Sequence, residues 1–255
     1  MDSPRHIVNF SGGKDSTAML FMMLEHGRPV DRVIHVDFGK EFPAMYRHLA
    51  QVNERLKCRG LAVESIMVDF DYYFTGHVKT KGKRIGQQGY GWPGPRTRWC
   101  TRHKIAALNR AARENNDSGF IHYVGYAYDE ISRAEKNKSA LSYPLIEWQV
   151  TEDQALQYCY DLGFDWDGLY RHFHRVSCFC CPLKSLKELK AIYHHYPELW
   201  AVMIDMDKKS FNQFTHRHSL ADLERRFSGN NWRSAPKLPG LEDCCSPQQE
   251  VPDGY

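Results

Sequence analysis

The sequence predicts an α/β fold: a parallel, Rossmann-like sheet with helices on both faces, followed by a helical, cysteine-rich extension. Three observations carry this. Short apolar runs of strand length alternate with longer segments of helical periodicity. The first run ends in a glycine loop that leads into a helix. After residue 140 the alternation stops, and cysteines, histidines and aromatic residues gather. Strands and helices in alternation argue for parallel neighbours with helices packed on both sides. In such sheets ligands bind beyond the carboxyl ends of the strands, where the glycine loop falls.

The elements follow in order. Residues 6–10, His-Ile-Val-Asn-Phe, form a buried strand. Residues 17–26 are apolar almost all round, as in a helix packed on a sheet, and Gly27-Arg28-Pro29 stops it. Residues 32–37 give the second strand, and Met45, Leu49, Val52 and Leu56 recur at helical spacing. Residues 63–68 are the third strand. Residues 99–113 are helical with Ile105, Leu108 and Ala112 on one face, and residues 120–125 are the fourth strand. Beyond them, residues 151–162 align Ala155, Cys159 and Leu162 on a helix, and Leu186, Leu189 and Tyr193 mark another. The tail from Ser234 carries four prolines and no periodicity, so an extended or disordered end is expected. The expected organisation is a core at 1–140, a helical cysteine-rich extension at 141–233 packed on it, and a flexible tail at 234–255. No internal repeat is present.

Among 255 residues, 42% are apolar and 25% charged, the balance of a soluble globular chain. No apolar run nears the roughly 18 residues a membrane helix needs. The start has no signal-peptide pattern, so a cytoplasmic protein without a membrane partner is expected. The net charge of +3 decides little, but its distribution is uneven. Between Tyr72 and Arg113 there is no acid, while Lys79, Arg84, Arg96, Arg98, Arg102 and Lys104 are among the bases. Such a stretch attracts phosphate or sulfate, or is a solvated basic loop. Tyr90 and Trp92 within it are candidates to stack on a base. Eight cysteines in a cytoplasmic chain point to metal binding or redox chemistry rather than disulfides.

Ser11-Gly12-Gly13-Lys14-Asp15-Ser16 lies between a strand and a helix start. Its glycines let backbone N–H groups converge on an anion, and the helix adds its positive end. Lys14 supplies a charge, and Ser11 and Ser16 supply hydroxyls. The loop is not a Walker sequence: Val8 occupies the position of the first glycine, and Asp15 follows the lysine. The alternative, a polar turn capped by Asp15, is disfavoured by the strand before the loop and the helix after it.

This hexapeptide resembles the PP-loop of N-type ATP pyrophosphatases, and further segments narrow the likeness to the phosphoadenosine phosphosulfate reductase family. They are Asp37-Phe38-Gly39-Lys40-Glu41-Phe42-Pro43, Arg98-Trp99-Cys100-Thr101-Arg102-His103-Lys104, the stretch from Gly125 to Arg133, Tyr143-Pro144-Leu145-Ile146-Glu147-Trp148, and Val176-Ser177-Cys178-Phe179-Cys180-Cys181-Pro182. They run in family order over roughly residues 5 to 185. The resemblance implies an adenine nucleotide alpha-hydrolase-like fold and an adenine nucleotide, with Mg²⁺ held by Asp15 directly or through water. It implies nucleotide contacts from Ser11, Gly12, Gly13, Lys14, Asp15, Ser16, Asp37 and Gly125, with Lys14 and Asp15 catalytic. Arg98, Arg102, Lys104 and Arg133 are the candidates for an anionic substrate.

Cys178 and Cys181 form a C-x-x-C followed by Pro182, and Cys100 lies 78 residues upstream of Cys178. Thiolates so arranged suit a 4Fe-4S cluster or a structural zinc. Cys180 is either a fourth ligand or a bystander that leaves one iron open. Cys58 and Cys159 fall on helix faces and are expected in the core. The related reductases carry a nucleophilic cysteine in a C-terminal Glu-Cys-Gly-Leu-His. Here only Glu242-Asp243-Cys244-Cys245-Ser246 is present, and its acids would blunt a thiol. The expectation is therefore ATP-dependent sulfur transfer to a nucleotide or nucleic-acid acceptor, with a sulfur donor or reductant as partner. The alternatives are a sulfonucleotide reductase that releases sulfite, and a non-catalytic nucleotide sensor. A homodimer or a place in a larger complex is compatible with each.

Overall fold

The computed structural model describes residues 4–114, 119–136 and 141–229. The expected flexible tail, with Cys244 and Cys245, lies outside the described residues.

Five strands form one parallel sheet in the order β3-β2-β1-β4-β5. They are β1 (Arg5–Asn9), β2 (Arg32–Asp37), β3 (Val63–Met67), β4 (Phe120–Val124) and β5 (Leu141–Ser142). Between and after them run α1 (Lys14–Glu25), α2 (Pro43–Leu56), α3 (Trp99–Arg113), α4 (Ile131–Glu135), α5 (Pro144–Glu147), α6 (Glu152–Asp161), α7 (Leu186–His195), α8 (Pro197–Lys209) and α9 (Leu220–Ser228). The expected parallel α/β architecture with a helical C-terminal region is what the chain adopts.

Alternation along the strands assigns the two faces. Val8 and Val33, paired in register, join the main core with Met19, Leu20, Met45 and Leu49 of α1 and α2. Ile7 and Ile34 point the other way, against Ala111 and Ala112 of α3. Of the expected face, Leu108 and Ala112 pack there, whereas Ile105 is 52% exposed. The helix has rotated its small alanines onto the sheet, which lets the backbones approach closely.

β5 was missed by sequence reading. Two residues are too few to show a period, and their place is fixed by pairing beside β4. The sheet therefore extends past residue 140. α6 packs on α1, and the 3-10 segment Trp166–Arg171 packs on α2, so residues 141–184 wrap the core closely. α8 and α9 were also missed, although α9 opens on a legible cap: Ser219 accepts from Asp222 N–H while Asp222 accepts from the Ser219 backbone. No helix among the described residues is long and apolar enough to cross a membrane.

The strand order reverses between β1 and β4, so the loops leaving their carboxyl ends diverge and open a crevice. The glycine loop leaves β1, and Gly125 follows β4 directly.

Candidate nucleotide cleft and thiol cluster

The loop owes its shape to its own hydroxyls. Ser16 Oγ accepts from Ser11 N–H at 3.2 Å and donates to the Gly13 carbonyl at 3.0 Å. Gly12 sits at φ +77°, a conformation that disfavours a side chain. Two aromatic residues from the 166–171 segment clamp the loop from outside. Trp166 Nε1–H donates to the Gly12 carbonyl at 2.8 Å, and the Tyr170 hydroxyl accepts from Lys14 N–H at 2.7 Å.

Lys14 is 4% exposed and its charge is already matched. Its ammonium donates to Glu152 Oε2 at 2.6 Å and to Asp15 Oδ1 at 2.9 Å. Burial works against that charge, but the two carboxylates outweigh it and hold the Lys14 pKa above its ordinary value. Burial raises the Asp15 pKa against the pull of Lys14, helped by Glu152 and Glu130. Glu152 moves down instead, because its bond to Lys14 overcomes its own desolvation. Arg175 bridges Glu152 and Glu130, and Arg133 also pairs with Glu130.

A cleft of about 180 Å³ opens over this web. Ser11, Gly13, Lys14, Asp15, Gly125 and Arg133, all singled out from sequence, line it. Glu130, Tyr170 and Arg175 line it as well and were not anticipated. Its volume lies below the roughly 300–1,000 Å³ that encloses a whole ligand, and suits a phosphate group. Gly125 has a geometric role: a Cβ there would lie 2.8 Å from Ser16 N and 2.9 Å from the Asp15 carbonyl carbon.

Other expected residues lie elsewhere. Asp37 is buried and caps the turn after β2, accepting from Gly39 N–H at 2.7 Å. Arg98 and Arg102 are exposed at the start of α3 and do not line the cleft. Lys104 pairs with buried Glu41 at 3.4 Å. Trp92 is 2% exposed and bound through Nε1 to Asp207 at 2.7 Å, so it cannot offer a face to a base. Tyr90 stacks on Tyr73, His77 and Trp99.

The thiols gather beside the turn after β2. Cys178 Sγ donates to Glu41 Oε1 at 3.5 Å, and Phe179 N–H donates to the Lys40 carbonyl at 3.0 Å. Cys100 lies within electrostatic reach of Cys181, and Cys180 and Cys181 lie within that of Cys178. Cys100, Cys178 and Cys181 are partly exposed, whereas Cys180 is 2% exposed and packs in the apolar core. Burial pushes the Cys178, Cys180 and Cys181 thiols above their ordinary range. Among the described residues no three Cys, His, Asp or Glu side chains stand in a metal-holding arrangement. Cys159 is buried as expected, its Sγ 3.4 Å from the Lys14 carbonyl; Cys58 is exposed on a 3-10 turn instead of packing in the core.

A parallel sheet whose strand order reverses at a glycine loop, with Lys14, Arg133 and Arg175 paired to carboxylates above it, defines an α/β protein with a polar cleft at its switch point. Residues 5–184 match the phosphoadenosine phosphosulfate reductase domain, and the chain belongs to that family. Two uncharacterized proteins of Methanocaldococcus jannaschii are similar to it. MJ0066 is 24% identical over 238 residues, covering 85% of this chain and 43% of its own length. MJ0973 is 23% identical over 216 residues, covering 79% and 47%. The chain thus spans less than half the length of these relatives. Among solved structures, the U34-tRNA thiolase NcsA from Methanococcus maripaludis with its 4Fe-4S cluster is similar at a TM-score of 0.44 and 14% identity, over 89% of this chain and 71% of that one.

Proposed function

We propose that this chain is a cytoplasmic PP-loop enzyme that binds ATP and uses it to activate a nucleotide or nucleic-acid acceptor for sulfur transfer. One observation carries the reading. The segment that lines the phosphate-sized cleft with Arg175 and Val176 continues directly into Cys178 and Cys181, so anion cradle and thiols share one rim of the sheet.

ATP would seat its phosphates on the loop, with Lys14 exchanging Glu152 and Asp15 for phosphate oxygens. The released carboxylates are then free to hold Mg²⁺, so the local charge stays balanced. An acceptor oxygen attacks the α-phosphorus, and the bond from that phosphorus to the oxygen bridging the β-phosphate breaks. Pyrophosphate leaves with the electron pair, stabilised by Lys14 and the loop amides. Sulfide from a sulfur donor then attacks the acceptor carbon, and AMP departs with the oxygen.

This reading assigns a cluster to the thiolates of Cys100, Cys178 and Cys181, which would have to draw closer together than they stand here to hold it. When bound, such a cluster supplies an iron without a protein ligand, a place to hold sulfide. Cys180 is 2% exposed and packs among apolar core residues, which leaves three partly exposed thiols as the candidate ligands.

The test uses anaerobically purified protein with ATP, Mg²⁺, sulfide and bulk tRNA. The expected result is AMP and pyrophosphate in equal amounts, with matching sulfur in the RNA. Absence of both nucleotide products, or thiol-dependent sulfite release from a sulfonucleotide, would overturn the proposal.

A further inference from the structure

A second and larger cavity, of about 780 Å³, is lined in part by the residues that follow Cys181 in the chain. Its volume falls within the range of sites that enclose a ligand. Three stretches wall it: residues 93–97 ahead of α3, residues 182–186 just after Cys181, and the turn at 212–218 ahead of α9. The last stretch lies beyond residues 5–184 of the family match.

The walls are fastened together. Asn212 Oδ1 accepts from Trp92 N–H at 2.8 Å, and Asn212 Nδ2 donates to the Trp92 carbonyl at 3.0 Å. The turn is pinned by Thr215 Oγ1, which accepts from His218 N–H at 2.9 Å and donates to the His218 carbonyl at 3.0 Å. A groove already built in this way loses little entropy when a ligand enters.

Its chemistry is one-sided. No Asp or Glu is among the residues that line it. Arg96 and Arg217 stand exposed at its rim, and neither forms an ion pair among the described residues. Exposed His216 adds a ring beside them. The ammonium of Lys184 turns inward to Ser177 Oγ at 3.3 Å, so it contributes only its stem. Leu183 and Leu186, 42% and 39% exposed, give the groove an apolar surface that water leaves unsatisfied. Unpaired guanidinium groups around an apolar surface match a nucleotide unit, with phosphates on the arginines and a base on the apolar and ring surfaces.

We propose that this groove binds single-stranded nucleic acid, seating a part of the strand whose reacting nucleotide reaches the cleft. This rests on the sulfur-transfer reading only in naming that strand as the acceptor. Residues 174–184 run from the phosphate cleft past Cys178 and Cys181 to the groove. A strand held at both ends would cross the thiols.

The experiment measures fluorescence anisotropy of a labelled single-stranded 12-nucleotide RNA with the full chain over a range of salt. Arg96→Ala with Arg217→Ala should weaken binding about tenfold and flatten the salt slope by roughly 1.4, two phosphate contacts at about 0.7 each. ATP affinity by calorimetry should not change, and the Arg96→Lys/Arg217→Lys pair should keep most of the salt dependence. Unchanged RNA affinity and slope in the alanine pair would overturn the site. So would displacement of the RNA by polyglutamate at equal charge, which would make the groove a peptide site. If the alanine pair loses RNA but wild type releases no AMP and pyrophosphate, the groove stands and the sulfur-transfer reading falls.

Discussion

Lys14 Nζ lies 2.6 Å from Oε2 of Glu152, a residue 138 positions further along the chain. The lysine of the loop is thus held by a carboxylate that a phosphate would have to displace under the proposed function, so the ligand-free state is stabilised by the charge that reading assigns to the nucleotide. Breaking a buried, charge-assisted bond costs about 1–3 kcal/mol. Glu152→Gln should therefore lower the stability of the ligand-free protein by about that amount. The same change should tighten binding of Mg²⁺-free pyrophosphate, since one negative charge no longer competes for Lys14. Lys14→Ala should abolish that binding. Denaturant titration and calorimetry with pyrophosphate check all three; weaker pyrophosphate binding in Glu152→Gln would show that the carboxylate helps rather than competes.

Gly125→Ala tests the close approach of the β4 exit to the loop. The added methyl would meet backbone at 2.8–2.9 Å, and backbone cannot swing aside as a side chain can. A loss of about 1–3 kcal/mol in stability is expected, with weakened ATP binding as the loop is pushed out of shape. Gly76→Ala serves as the control, because its Cβ would meet only the Tyr72 ring at 3.5 Å. Equal ATP affinity in both variants would remove Gly125 from the account.

The thiols sort by exposure. Cys100→Ser, Cys178→Ser and Cys181→Ser should each remove most of the iron and labile sulfide from anaerobically purified protein. Cys180→Ala should retain them and lose only stability, by about 1 kcal/mol for the lost core contact. Iron lost from Cys180→Ala would mean that the core opens to deliver a fourth ligand. One equivalent of zinc and no labile sulfide in wild type would replace the cluster with a structural knot.

His48 gives the fold a pH dependence. It is 1% exposed, its Nε2 lies 3.0 Å from Thr17 Oγ1, and its ring packs on Trp166 at 4.3 Å. Burial, helped by Arg55, lowers its pKa from 6.5 to about 3. The unfolded chain takes up a proton near pH 6.5 while the folded one refuses it. The stabilisation is therefore complete above pH 6.5 and is lost as pH falls through about 3. The slope between them approaches about 1.4 kcal/mol per pH unit for this one residue. Urea midpoints measured from pH 7 to 4.5 should decline, and His48→Gln should start lower but decline less steeply. Parallel declines would assign the effect to other groups, His35 and His122 among them, whose pKa values burial also lowers.

The sequence by itself determined whatever depends on near neighbours. The periods of β1 to β4 and α1 to α3, the glycine loop between a strand and a helix, and the C-x-x-C spacing are local patterns, each readable over a few residues. Tertiary structure alone decided the rest, because it depends on where distant segments meet. β5 exists only by pairing with β4. Glu152 reaches the loop because α6 packs on α1, Arg175 is held there by Glu130 and Glu152, and no motif announces a carboxylate 138 residues from its lysine. Trp92, which the basic stretch offers as a stacking surface, is buried because Asn212 and Asp207 fold over it. Cys180 carries the same chemistry as Cys178 and Cys181, and only its burial among the apolar core residues separates it from those two partly exposed thiols.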